Sequence, residues 1–452
     1  MGLSVPSVDS TGRAISSFEV ASGLAARRAR QFPIGHRVGT FSGATVTYGK
    51  GSGVSAVTVS AGGSGYVVGE IITIAGGTST VSAQVQVVTV SAGAVVTAAV
   101  YRPGVYSANP SNPASQASTS GSGTGATFTL TFNGGSGSGM AGFSPVAVGA
   151  TDARLNFLGT GPSVNGGNSV QLGGIDTQCA FEWTTDSDVV EARFTAYNTS
   201  FQVFVDGQRL ASTPYSTDAS GGRYVMTLTQ ADRTPRTYRV VGVNLQFVGA
   251  YVPSTGTIWK PNEPRRPLAL VIGDSYTQGT GATDATACAN NVMAEILGID
   301  ILCNGVGGAG WISSTAGSPT ARITGTFPSL TTLPEIVFLD LGHNDAASAP
   351  DTTAIGASID STIAAIRSYV PKAKIVLFGP ATPVGDTANL TTMRTTISAR
   401  ATANSCTFVD VQGWVTSANK ALYTGGDNVH PTAAGHIYLG ERRARLVAAA
   451  LA

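Results

Sequence analysis

Between residues 263 and 452, short and almost wholly apolar runs alternate with stretches of helical length. The runs are LALVIGDS, IDILCNG, EIVFLDLG, AKIVLFGP and CTFVDV. Helices are predicted at about 286–298, 352–370, 387–404 and 432–450, with Asp351 and Asp386 placed to cap two of them. A strand that is apolar on both faces must be covered on both, and strands joined through helices run parallel. The pattern therefore dictates an α/β/α domain around a parallel sheet. The working loops of such sheets lie at the carboxyl ends of the strands, so residues that do chemistry belong there.

The rest of the 452-residue chain reads as β structure, making the protein multidomain, with roughly three units. Residues 149–262 contain ARLNFLGTG, FQVFVDGQRL, RYVMTLTQ and TYRVVGVNLQFVGAYV, short alternating runs that predict a β-sandwich. Asp206-Gly207 marks a hairpin turn. Trp183, Tyr197 and Phe204 fit a sandwich core better than a sugar platform. Upstream, residues 49–133 form a Gly-rich β module; between Gly51 and Asn133 only Glu70 and Arg102 carry formal charge. Sheet edges are normally guarded by charge or proline. Their scarcity here predicts that neighbouring chains cover this surface, and a loose repeat of Val57–Tyr66 at Ala98–Tyr106 indicates a duplicated unit. Residues 134–148, with GGSGSGMAG, read as a linker. Residues 1–48 are a leader whose Arg27, Arg28 and Arg30 lie on a short helix, either a solvated basic face or a docking segment.

Charged residues make up 12% of the chain, about half the usual share, and the net charge is +1. No basic stripe with interleaved aromatics occurs, which argues against nucleic acid. No apolar run approaches the ~20 residues of a membrane span. The N-terminus lacks the basic head and apolar core of a signal peptide, and Pro6 spoils a myristoylation motif at Gly2. The chain is thus expected to be made in a cytoplasm. Cys179, Cys288, Cys303 and Cys406 form no CxxC pair and read as buried apolar residues, with a Cys288–Cys303 bridge left open.

Four segments near strand ends carry chemistry. Gly273-Asp274-Ser275 puts a serine at a strand-to-helix turn, where backbone N–H groups face developing negative charge. The glycines of Asn304–Gly310 let an N–H approach an oxyanion. Gly342-His343-Asn344-Asp345 offers an Asn amide, with Asp345 reading as structural. Asp427-Asn428-Val429-His430, just before the last helix, sets a carboxylate and an imidazole three residues apart. His430 alone of the four histidines has such a partner, and His436 falls within a helix. Each segment alone is an ordinary loop.

Together and in this order, GDS at 273–275, Gly308, GxND at 342–345 and DxxH at 427–430 resemble the SGNH (GDSL-like) hydrolase superfamily over about 190 residues. The first block reads GDSYTQG rather than GDSL, as in its carbohydrate-esterase branch. The resemblance implies Ser275 as nucleophile, His430 as general base and then acid, and Asp427 as its orienting partner. It assigns the oxyanion hole to Ser275 N–H, Gly308 N–H and the Asn344 side chain. His343 and Asp274 become candidate substrate contacts. No metal or organic cofactor is called for. Residues 149–262 resemble the jelly-roll domain that precedes the catalytic domain in some carbohydrate esterases. The run from Gly63 to Gly77, GSGYVVGEIITIAGG, is similar to Gly-rich modules of bacteriophage tail and other virion proteins. What these resemblances imply is a virion protein, tail-fibre-like, that O-deacetylates a bacterial surface glycan. It would contact other virion proteins through residues 1–133 and form a homo-oligomer, a trimer being the usual fibre arrangement. The alternative is a structural or adhesive protein that uses the SGNH domain for glycan binding.

Overall fold

The structure, a computed structural model, describes residues 41–133, 143–145, 154–159, 163–165, 169–171, 178–219, 222–253, 255–261, 266–313, 317–380 and 387–451. The leader arginines, residues 134–142 of the linker and Asp386 lie outside the described residues.

In the C-terminal domain the strands are β1 (Leu268–Gly273), β2 (Asp300–Gly305), β3 (Ile336–Asp340), β4 (Lys374–Phe378) and β5 (Thr407–Val409). They pair in parallel in the order β2-β1-β3-β4-β5. The helices are α1 (Ser275–Gln278), α2 (Ala289–Leu297), α3 (Pro319–Thr326), α4 (Thr352–Tyr369), α5 (Ala388–Ala403), α6 (Lys420–Tyr423) and α7 (Ala433–Leu451). Successive side chains of a strand point to opposite faces. Thus Leu268, Leu270 and Ile272 of β1 pack with α3, α4 and α5 through Ile323, Ile359 and Ile397. Ala269 and Val271 pack on the other face with α2 and α7 through Met293, Val447 and Leu451. Asp351 caps α4 by accepting from Thr353 and Ala354 N–H, as its position predicts. Sequence reading passed over α3, although Ser318 caps it and Pro319 sits in its first turn.

The sandwich has two antiparallel sheets. One runs through Arg223–Gln230, Val189–Thr195 and Gln246–Pro253, the other through Gln178–Thr185, Arg236–Val243 and Ser200–Val205. Phe181, Trp183, Phe194, Phe201 and Phe247 fill the space between them. Asp206 and Gly207 both have positive φ, 49° and 81°, which suits their hairpin turn. One boundary differs from expectation. Ala44–Lys50, divided by the sequence reading between leader and module, is a strand of the sandwich. It pairs antiparallel from Ala44↔Gln230 to Lys50↔Tyr224. Val46 and Tyr48 pack against the sandwich core. The Gly-rich module is therefore inserted after the first sandwich strand.

Within the module six strands run in the order Gly53–Ser64, Thr124–Asn133, Ala114–Thr119, Ile71–Ile74, Gln84–Ser91 and Ala94–Arg102. Its two outermost strands approach each other, so a Cβ at Gly62 would lie 2.6 Å from the Val95 carbonyl oxygen. The edges thus partly shield one another, a remedy that period-two patterning cannot reveal. Glu70 is buried and accepts from Val67 N–H, Gly123 N–H and the Thr119 hydroxyl. The sandwich in turn abuts the C-terminal domain. Leu158, Ala180 and Val241 join the core of the latter, Arg239 reaches Asp300 at 2.5 Å, and Arg209 reaches Glu295 at 2.9 Å.

Candidate active site

Strand β1 ends at Gly273, and the chain turns at once into α1. A Cβ on Gly273 would lie 2.0 Å from the Thr277 hydroxyl, so any side chain here would push Thr277 out of place. Asp274 caps α1 by accepting from Tyr276 N–H at 2.9 Å. Ser275 follows at the first helical position, and its Oγ lies 2.8 Å from Nε2 of His430. On the far side of the imidazole, Nδ1 lies 2.5 Å from Oδ2 of Asp427. A carboxylate only accepts, so Nδ1 carries the hydrogen and Nε2 is left to accept from the serine hydroxyl. The other oxygen of Asp427 accepts from Val429 and His430 N–H, both at 2.9 Å. The His430 side chain, followed by these two amides, holds the Asp427 carboxyl well below the usual carboxylate range. Asp427 thus stays an acceptor wherever the imidazole can work as a base.

The loop after β2 bends at Gly308, whose φ of 77° favours glycine. Asn344 begins the short turn after β3, and its side-chain N–H₂ donates to Ala309 O at 2.7 Å. One amide hydrogen is spent on that bond; the second remains for an oxyanion. Asp345 is buried and accepts from Trp311 N–H at 2.7 Å and from Ile312 and Ser313 N–H at 3.0 Å each. Asn344 and Asp345 together lash the Gly308 loop to the end of β3. Sequence reading kept Asp345 structural; the structure gives it this task.

Beneath the turn lies a buried polar layer. Arg443 of α7 pairs with Asp340 of β3 through bonds of 2.7 and 2.9 Å. Asp340 also accepts from Thr277 and Asn290. Arg322 of α3 donates to Gly273 O and Asn304 O, bracing the ends of β1 and β2. His436 accepts from Ala289 N–H and donates to Thr280 O, and burial pulls its pKa down to about 4. It is a neutral structural residue.

Asp274 is not placed to meet substrate. It is 3% exposed, and burial, reinforced by Asp340, pushes its carboxyl up to about 8. Its capping role turns the side chain inward. His343 is half-buried, its ring 5.5 Å from that of Tyr276. Trp183 is 1% exposed and stacked on Tyr238, which removes it from any sugar platform. Sequence reading missed a row of half-buried aromatics beside the His430 loop. Tyr423 stacks on Tyr438 at 4.1 Å, and Arg442 lies over Tyr438 and Trp414. Cys288 and Cys303 sulfurs lie 3.9 Å apart, unbonded.

Residues 271–437 match the GDSL-like Lipase/Acylhydrolase family. The chain carries a GDSL-like hydrolase domain. Its activity class is that of an esterase or acylhydrolase. A GDSL lipase of Mycobacterium tuberculosis is 29% identical over 238 residues, spanning 47% of this chain and 96% of that protein. Among solved structures, a salicylyl-acyltransferase from a tetracycline biosynthetic pathway superposes with a TM-score of 0.54 at 16% identity, over 68% of this chain and 98% of its own. An acetyl xylan esterase of the rumen bacterium Butyrivibrio proteoclasticus gives 0.51 at 16%, with the same coverage. A family two carbohydrate esterase of Clostridium thermocellum gives 0.50 at 18%, over 65% and 98%. At these identities the likeness is one of fold, and it extends beyond the hydrolase domain into the β structure before it.

Proposed function

We propose that the protein is a serine esterase that removes O-acetyl groups from a bacterial surface polysaccharide. The observation that carries this reading is the unbroken chain Ser275 Oγ, His430 Nε2, His430 Nδ1, Asp427 Oδ2, with contacts of 2.8 and 2.5 Å. Ser275 attacks the ester carbonyl while His430 takes its proton. The tetrahedral oxyanion is met by Ser275 N–H, Gly308 N–H and the Asn344 amide; each such donor lowers the barrier by roughly 2.7–4 kcal/mol. His430 returns the proton to the departing alcohol, and water then releases the acyl group by the same route.

The carbohydrate part is supported by one observation. Carbohydrate esterases of known structure share the paired β and hydrolase architecture. A place on a bacteriophage virion, with residues 1–133 joining other virion proteins or further copies, is supported by the charge-poor module. Exposed Val67, Val68, Val88 and Val96 add to this.

The test is hydrolysis of a short aryl acetate by the protein beside Ser275→Ala. Loss of a triad nucleophile should lower turnover by several orders of magnitude. Wild-type turnover abolished by the substitution supports the reading, and acetylated polysaccharides are then the next substrates. Equal silence from both would turn the domain into a glycan-binding or structural one.

A further inference from the structure

We propose that Tyr276 is a positioning residue for the general base, its hydroxyl tying the loop that carries His430 to the turn that carries Ser275. The inference rests on the serine-esterase reading above.

Tyr276 directly follows the nucleophile, and its hydroxyl donates to the Val429 carbonyl, one residue before His430, at 2.6 Å. Both ends of the tether are fixed. At one end the Tyr276 N–H is held by Asp274, and the 4%-exposed ring packs with Ala289, Val411 and Leu439. At the other end the acceptor is the backbone of the base loop itself. Burial, with the nearby Asp274 adding to it, holds the phenol above its ordinary range, so it remains a donor.

The tether acts on the side of the loop before His430; on the side after it, Gly281 abuts the Pro431 carbonyl. The loop contains Gly425-Gly426, Asn428 has a φ of 57°, and the Asp427 side chain is 50% exposed. The bond from Gly425 N–H to His430 O and the pairing of Thr424 with Pro431 close the loop on itself. Neither sets its distance from Ser275. A proton transfer needs the heavy atoms within about 2.6–3.2 Å, and a 1 Å displacement can cost about a hundredfold in rate. Leucine, which follows the serine in a GDSL block, is apolar like the ring but offers no donor. The departure at this position in GDSYTQG therefore supplies a tether that GDSL lacks.

Tyr276→Phe and Tyr276→Leu are compared with wild type by kcat and KM on aryl acetate, by thermal unfolding, and by the low-field proton NMR signal of the His430 Nδ1–H. Tyr276→Phe keeps the ring, so it should unfold within a few degrees of wild type. Its kcat should fall about tenfold or more with KM unchanged, and the His430 proton should broaden and exchange faster. A kcat within about twofold of wild type together with an unchanged proton signal would overturn the proposal. So would a fall in kcat accompanied by a raised KM and lowered unfolding temperature, which marks packing alone. Should the wild type show no ester turnover, the function reading fails separately. The proton signal then decides: sharp in wild type and lost in Tyr276→Phe sustains the tether, unchanged in both removes it.

Discussion

Asn344 and Asp345 are neighbours with separable tasks. Asn344 keeps one amide hydrogen for an oxyanion, whereas Asp345 spends its carboxylate on three backbone N–H groups. Asn344→Ala should lower kcat by roughly 10²–10³, with a smaller loss of stability than at Asp345 because it releases one bond, to the Ala309 carbonyl. Asp345→Ala strands three donors, at roughly 1–3 kcal/mol for each one left unpaired. It should therefore lower unfolding temperature and kcat together, and steady-state kinetics beside thermal melts separates the two. Asp274 gives a pH test. Its carboxyl titrates near 3.8 when free and is raised to about 8 here, first by burial and then by Asp340. The folded protein thus keeps a proton that the unfolded chain releases, and stability falls as pH rises from about 4 to 8. Asp274→Asn retains the capping oxygen without the charge, so denaturation at pH 5 and 8 should favour the variant progressively at the higher pH. An equal difference at both values would show that the carboxyl is not buried neutral.

At the scale of elements, Ala44–Lys50 matters more than its sequence suggests. It supplies an edge strand to the sandwich and covers core aromatics with Tyr48, which stacks on Tyr224 and meets Phe201 edge-on. A chain begun at Gly51 loses that strand and should show a destabilised sandwich. Excision of 51–133, with a Gly/Ser connection from Lys50 to residue 134, keeps it. The shortened protein should remain soluble and hydrolyse aryl acetate at the wild-type rate. Both forms are compared by circular dichroism melts and turnover; a truncated form as stable as the excised one would deny the strand its role.

Across the whole molecule, the β region and the hydrolase domain share a core. Leu158, Ala180 and Val241 sit among the side chains that cover β1 and α3, and the Arg239 guanidinium meets both Glu182 of the sandwich and Asp300 of β2. This seam includes the amino end of β2 and also the segment leading from the Ser275 turn to α2, where Gln178 donates to Ala285 O and Gln202 to Asp284. The sandwich therefore braces both ends of that connection. The module attaches through the sandwich. Arg193, paired with Glu191 and lying over the Tyr251 ring, reaches toward Gly53 at that junction.

What the sequence determined by itself was local and periodic. Near-continuous apolar runs between helical stretches predicted all five parallel strands, and four short blocks named the residues that converge at their ends. Periodicity is legible because burial demands it residue by residue. Tertiary structure alone decided the rest. Arg443 and Asp340 lie 103 residues apart, and neither is marked by its neighbours as half of a buried pair. Asp274 looks like a polar loop residue until the turn points it inward. The strand at Ala44–Lys50 has the same small, alternating composition as the module after it, so only its register with Gln230–Tyr224 shows where it belongs. Tyr276 is read as a substitution in a motif until its hydroxyl is found on the Val429 carbonyl. Asp274 apart, the other three are pairings between distant segments, and such a partner is chosen by the packed fold, not by local sequence.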